Sequence, residues 1–207
     1  MAEARAEPFH IVLVGLRERI REGAFRPGAR IAATDLADEL RLSTTPVREA
    51  LSRLAGEGLL EDRRGQGYFV RVPNAPDVAD LYRLSLAHLL IAQEPRRPLR
   101  RAFAAPISAP VGPEDAVRRV DRLMLGWVAE SGSRALVNAF RLNQAQLGIV
   151  RRLEPELITD LDDEAGRLVA LETADRVVRL ANMRHFHGRR MRLAEPLAAL
   201  LTRQSDG

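Results

Sequence analysis

Between Ser43 and Gln66 the chain concentrates residue types that suit a polyanion. Ser43, Thr44 and Thr45 run directly into Pro46, and proline costs little in a first helical turn, where its missing N–H has no partner. The three hydroxyls can accept the orphan backbone N–H groups of that turn. Val47, Leu51 and Leu54 then recur at helical spacing and should face a core, and Gly56 and Gly58 end the helix. Thr44, Thr45, Arg48 and Ser52 are left pointing outward near the helix start. Such an end offers N–H groups to phosphate, and a guanidinium fork matches O6 and N7 of guanine together. Downstream, Arg63-Arg64-Gly65-Gln66-Gly67 separates two short apolar runs, Leu59-Leu60 and Tyr68-Phe69-Val70. That is the pattern of a hairpin with a basic tip.

The elements around these residues have to hold them in place. A helix from about Phe9 to Glu22 carries a broad apolar face of Ile11, Leu13, Val14, Leu16 and Ile20. Gly23 stops it, and Phe25-Arg26-Pro27-Gly28 makes a turn. Arg30-Ile31 can add a third strand beside the hairpin. Leu36, Ala37 and Leu40 face inward from a second helix, and Arg41 and Leu42 turn the chain into the helix that starts at Ser43. Three helices, a tight turn and a basic hairpin predict a winged helix-turn-helix DNA-binding domain over residues 9–72, preceded by a flexible arm over 1–8.

The run PGARI, LADEL, STTPVREALSRLAGEGLLEDRRGQGYFV closely resembles the GntR family of bacterial transcription regulators. The PVREAL segment, the EGL and the GxGxxV at their spacings carry the resemblance. It implies contacts from the first helix of the motif, the start of the recognition helix and the wing. Carried over by position, those residues are Thr34, Ser43, Thr44, Thr45, Arg48, Arg64, Gly65 and Gln66. Ser43 stands where a hydroxyl bonds phosphate, Arg48 where an arginine reaches guanine or phosphate, and Arg64-Gly65 at the wing tip. Relatives often have arginine where this chain has Thr34 and Thr44, so a different operator is expected. Two plainer readings stay open: Thr34 as an early-helix residue without a DNA role, and Arg48 as a surface ion pair with Glu49 or Glu57.

Val72-Pro73-Asn74-Ala75-Pro76 reads as a linker, centred on 73–76, and 77–207 as an all-helical domain. Asp77 can cap a helix to about Gln93, Glu114 to Glu130 and Ser133 to Arg152 read as two more, and Pro155 opens another that can continue to Ala181. Asn182 to His185 then turn the chain into a last helix over about Phe186 to Arg203, interrupted near Pro196. Five prolines between Pro95 and Pro113 predict an irregular loop there. Its arginines, Arg96, Arg97, Arg100 and Arg101, read as solvated or as phosphate contacts. The fold class is therefore mainly α: a winged helix-turn-helix followed by a bundle of ~5 helices.

The second half resembles a reduced, diverged FadR-subfamily domain. Such domains dimerise, hold a small effector and often bind a divalent metal through one Asp and three His. Asp121 fits the Asp position, but Leu125 stands where the first histidine is expected, and the others fall near Glu172 and near Ala194 or Glu195. No metal or other cofactor is expected. His185, His187 and His88 read better as core or surface residues than as ligands, and the acidic run Asp160, Asp162, Asp163, Glu164 as a solvated face. Trp127 and Phe140 read as core. Candidates for an effector pocket are Asp121, Asn143, Glu172 and Arg176.

Composition narrows the classes. All 32 basic residues are arginine, and the net charge is only +4. Residues 1–72 hold twelve arginines against eleven acids, so DNA binding must rest on local charge placement. There is no cysteine, which excludes disulfides and thiolate sites. No apolar run approaches ~20 residues, and the first residues do not read as a secretion signal, so a cytoplasmic protein without membrane contact is expected. The leading expectation is a homodimeric repressor on a double-stranded, pseudo-palindromic operator, released by a small-molecule effector. The alternative is a constitutive or partner-controlled DNA binder whose bundle only dimerises or binds another protein. An enzyme is not expected, since Gly65-Gln66-Gly67 lies in a hairpin and not at a phosphate-binding strand-to-helix turn.

Overall fold

The computed structural model describes residues 8–94 and 114–206. The arm expected over 1–8, apart from Pro8, and the proline-rich loop expected over 95–113 lie outside the described residues. Two compact units emerge: residues up to Pro73 together with those from Ala199 onward, and Asn74–Ala198. The tail from Ala199 thus groups with the N-terminal unit, where the sequence pattern had assigned it to the helical domain.

The first unit is built on three helices and a small sheet. Helix α1 (Pro8–Arg21) buries Val12, Leu13, Leu16 and Ile20. Helix α2 (Ala33–Leu40) buries Leu36 and Ala37. Helix α3 (Thr44–Gly56) buries Val47, Ala50, Leu51 and Leu54, each 0% exposed. Strands β1 (Arg30–Ile31), β2 (Leu60–Arg63) and β3 (Gly67–Val70) form an antiparallel sheet in the order β1-β3-β2. The third strand expected at Arg30-Ile31 is therefore present, with Arg30 opposite Phe69 and Ile31 opposite Tyr68.

Two helix ends control the path of the chain. Gly58 closes α3 at φ 72°, its N–H donating to the Ala55 carbonyl at 2.9 Å while Leu59 N–H reaches Leu54 at 3.0 Å. These crossed bonds satisfy two carbonyls that a helix end would leave bare. Helix α2 ends in the same way, with Leu42 N–H donating to Ala37 at 2.9 Å, but Arg41 occupies the left-handed position at φ 54°. A side chain there is strained, because its Cβ crowds the backbone. The expectation that hydroxyls cap α3 is corrected: Ser43 is the N-cap residue by backbone geometry, yet its side chain makes no capping bond.

The second unit contains α4 (Ala75–Ala92), α5 (Ala116–Ala129), α6 (Arg134–Arg151), α7 (Glu154–Leu157), α8 (Leu161–Val169), α9 (Arg176–Arg192) and the start of α10 (Ala194–Asp206). Helix α4 packs on α6 and α9, and α5 on α6 and α8. Leu89, Met124, Trp127, Val137, Phe140, Met183 and Phe186 lie in one buried cluster. Seven helical segments among the described residues replace the five or so expected. Helix α4 starts three residues early, because Asn74 is the cap and Asp77 completes a reciprocal capping box.

The long helix expected from Pro155 is broken twice. Ile158 is extended, and α9 is started afresh by Asp175, whose carboxylate accepts from Val177 and Val178 N–H at 2.7 and 3.0 Å. The turn expected at Asn182 to His185 is instead the interior of α9. Asn182 donates to the Val178 carbonyl one turn back at 2.9 Å, so it stays within the helix. The chain breaks at Leu193, and Pro196 sits in the first turn of α10, where it removes no helical bond.

Replacing Arg41 by glycine should relieve the left-handed strain and raise the stability of the first unit by about 1 kcal/mol. Urea unfolding should give a higher midpoint at an unchanged slope.

Candidate nucleic-acid interface

The motif residues are all outside the core. Thr34, Ser43, Thr44, Thr45, Arg48, Arg64, Gly65 and Gln66 are each exposed. On α3, helical geometry sets Thr45, Arg48 and Ser52 on the arc opposite Val47, Ala50, Leu51 and Leu54. One face is therefore anchored by complete burial while the other is free to meet a ligand. Thr34, in the first turn of α2, donates its hydroxyl to the Asp35 carboxylate at 3.0 Å.

Arg48 has no carboxylate partner among the described residues. The ion pair with Glu49 or Glu57 left open by the sequence is not formed. Glu57 is taken by Arg17, which reaches it at 2.7 Å, and by Arg53 at 2.9 Å. These two pairs tie the end of α3 to α1. Arg19 joins α1 to α2 by pairing with Glu39 at 2.9 Å.

The hairpin tip turns at Gly65, φ 76°, with Gln66 N–H donating to the Arg63 carbonyl at 2.8 Å. Its two arginines differ. Arg63 pairs with Glu61 at 2.9 Å and stacks over the Phe69 ring at 4.2 Å. Arg64, at the tip itself, is exposed and takes no carboxylate among the described residues. A free cation at the end of a stiff hairpin suits a phosphate-lined groove.

Residues 12–70 match the family model described as bacterial regulatory proteins, gntR family. The N-terminal domain belongs to the GntR family. Over 60 residues it is 50% identical to the Nta operon transcriptional regulator of Aminobacter aminovorans, covering 29% of each chain. Over 62 residues it is 44% identical to the Exu regulon transcriptional regulator of Escherichia coli (strain K12), covering 30% of this chain and 24% of that one. The chain matches less than half the length of these curated relatives. Among solved structures, E. coli McbR/YncC superposes with a TM-score of 0.61 at 21% identity, over 96% of this chain and 99% of that one. A putative transcriptional regulator GntR from Rhodococcus sp. RHA1 gives 0.58 at 19% identity, over 94% and 97%. These two likenesses show that the helical second unit also shares the fold of GntR regulator structures.

The second unit of the chain carries an interior of charge. Tyr82 O–H donates to Glu154 at 2.6 Å, and Arg190 reaches Glu154 at 2.8 Å and Glu164 at 2.7 Å. Arg151 pairs with both Glu154 and Asp121. Burial would raise the Glu154 carboxyl, but Arg151 and Arg190 hold it below its ordinary range. Burial, reinforced by Glu154, pushes the Tyr82 phenol up. Asp121, where the resemblance suggests a metal ligand, thus faces a guanidinium that would repel a cation, and His187 is committed elsewhere. Its Nδ1–H donates to the Met183 carbonyl at 2.8 Å, so Nε2 accepts from the Ser85 hydroxyl at 3.0 Å. The donor set does not fit a divalent ion.

The four effector candidates do not converge. Asp121 is held by Arg151, and Asn143 is buried, donating to the Leu81 carbonyl at 3.1 Å with its Oδ1 unpartnered. Arg176 is the exposed first residue of α9. Glu172 lines a cleft of about 230 Å³, shared with Arg119, Arg122, Leu123, Gly126, Trp127, Glu130 and Val169. The sequence reading missed Arg151, Glu154 and Arg190. Arg151 and Glu154 flank a helix end three apart, an ordinary surface spacing, and nothing in it marks burial.

Burial lowers His187 from 6.5 to about 4, and burial lowers His88 as well. Below pH 6.5 the unfolded chain therefore binds a His187 proton that the folded unit refuses. More protons on the unfolded side mean that stability falls with pH. Between pH 6.5 and 4.5, before Glu154 begins to matter, the bundle should lose about 2–3 kcal/mol. Unfolding followed across this window should slope less in a His187→Gln variant.

Proposed function

We propose that this chain is a sequence-specific DNA-binding transcription regulator, a homodimeric repressor that reads a pseudo-palindromic operator. The observation that carries the reading is the α3 tip: Arg48 is exposed, with no carboxylate partner among the described residues, on a helix whose opposite face is wholly buried, in a domain of the GntR family. Thr44, Thr45 and Arg48 enter the major groove, Ser43 and Thr34 hold phosphates, and Arg64 with Gly65 and Gln66 follows the minor groove. Two such domains on a dyad read two half-sites. Arg48 is the one arginine at the start of α3, and the threonines supply thymine-methyl and phosphate contacts. Its operator therefore differs from those of relatives with arginine at positions 34 and 44.

A second reading has its own observation. The interior of the second unit is occupied by the guanidinium groups of Arg151 and Arg190, 2% and 1% exposed. A bundle filled in this way favours an assembly module that holds two DNA-binding domains at fixed spacing without an internal ligand. In either case the protein works by binding and not by catalysis.

Fluorescence anisotropy on DNA from the chain's own upstream region tests the proposal. Arg48→Ala should lower affinity for the preferred sequence by about 1–3 kcal/mol and relax specificity at one base pair per half-site. Arg64→Ala should weaken binding more evenly across sequences and reduce the salt dependence. Wild-type protein that bound no site in this region at low salt would overturn the reading.

A further inference from the structure

Two helices of the second unit turn uncharged faces to solvent. From Leu84 to Gln93, α4 holds ten residues without an acid or an arginine, in a chain that is 29% charged. Its inward side is fully used, by Ser85, His88 and Leu89 among others, yet Leu84 and Ile91 stay 46% and 39% exposed. On α6, Ala135, Ala139 and Leu142 are exposed, and the sole charge between Ala135 and Val150 is Arg141, which lies off that stripe. A helix exposed to water normally carries charge on its outer face, and one that is apolar all round is normally covered.

The two stripes form one surface. Helices α4 and α6 lie side by side and antiparallel: Asn143 donates to the Leu81 carbonyl at 3.1 Å, and the His88 and Phe140 rings meet edge to face at 6.1 Å. At 3.6 residues per turn, Leu84, Ala87 and Ile91 lie on one flank of this contact line on α4. Ala135, Ala139 and Leu142 lie on the flank of α6 that, with the helix running the other way, opens to the same side.

We propose that this α4/α6 face is where two copies of the chain meet, as an antiparallel four-helix bundle. Three features favour a second copy. The relief is self-complementary: α4 offers the large side chains Leu84 and Ile91, and α6 offers the small ones Ala135 and Ala139. A twofold axis along the pair lays α4 of one copy against α6 of the other, with Ile91 falling between Ala135 and Ala139, and repeats the contact in reverse. The face is also neutral, so two identical copies do not repel; Asp80 and Arg83, at its edge, pair with each other. Its size suffices. Each helix has 18 residues, about 27 Å of length, and packed axes stand about 8–10 Å apart. That gives roughly 500 Å² per copy and about 1,000 Å² in total, where specific interfaces begin. The proposal deepens the regulator reading, since it names the surface that pairs two DNA-binding domains.

Sedimentation equilibrium of the full chain over a wide concentration range tests it. Wild type should reach twice 23.0 kDa. Ala139→Glu, at an exposed position where the folded monomer loses no packing, should raise the dimer dissociation constant by about tenfold or more, because it buries an unpaired charge in the bundle. Ile91→Glu should do the same. Val177→Glu, at a 75% exposed position at the start of α9, should leave the dimer intact. Circular dichroism at low concentration should show equal helix content in all four proteins. A wild type that stays monomeric, or a dimer that survives both Ala139→Glu and Ile91→Glu, would overturn the proposal. DNA binding on the same preparations separates the readings. A dimer through this face that binds no DNA sinks only the regulator, and a DNA-binding dimer indifferent to both substitutions sinks only this surface.

Discussion

Helix α3 has to bury one face without remainder so that its other face can be presented rigidly. Val47, Ala50, Leu51 and Leu54 are all 0% exposed, and burial of a valine or leucine side chain contributes roughly 1.5–3 kcal/mol, that of the alanine methyl less. A recognition helix held loosely would lose orientation, and base readout depends on orientation because a guanidinium fork pairs two atoms at once. The Arg17–Glu57 and Arg53–Glu57 pairs fix the far end of α3, so the helix is held along its length while its tip stays unburdened.

The second unit solves a different problem. Two arginines are almost fully buried, and isolated they would cost several kcal/mol each in lost hydration. They persist because Glu154, Glu164 and Asp121 stand against them and the Tyr82 hydroxyl completes the set. Such a network adds little net stability over a packed aliphatic core, but removing any one member strands a charge. It also leaves a cation no welcome in the interior, since Arg151 already occupies Asp121.

The first unit was legible because its signals are local. STTP, the alternation of Val47, Leu51 and Leu54, and the two glycines of the hairpin each act within a few residues. The observed β1-β3-β2 order follows from them. The second unit was less legible for two reasons. Asp175 and Asn182 are both short polar residues, yet one starts a helix and the other sits inside one. The difference lies in whether the side chain meets a free N–H ahead or a carbonyl behind, and composition does not reveal that. The interior network was opaque because arginine and glutamate three apart are normally solvated. Only the packing of α4, α6 and α9 buries Tyr82, Arg151 and Arg190 together. Glu172 stood out as a polar candidate near a position that the resemblance implies, and neither ground marks the cleft that it lines.

The near-neutral charge of the first domain makes the placement of its arginines matter more than their number. Twelve arginines against eleven acids would give a weak field if the charges were mixed at random. In the fold, Glu57, Glu39, Glu18 and Glu61 are each taken by arginines of α1, α3 or β2. Those pairs join five arginines to four glutamates, so they serve as internal ties and add no net positive charge to the rest of the surface. Among the described residues, Arg48 on the helix tip and Arg64 on the hairpin tip keep their charge uncompensated at short range. A polyanion approaching this domain therefore meets local cations on two rigid projections, which is what counterion release requires. Bulk charge would only raise nonspecific attraction; on the proposed reading, two placed arginines also set register.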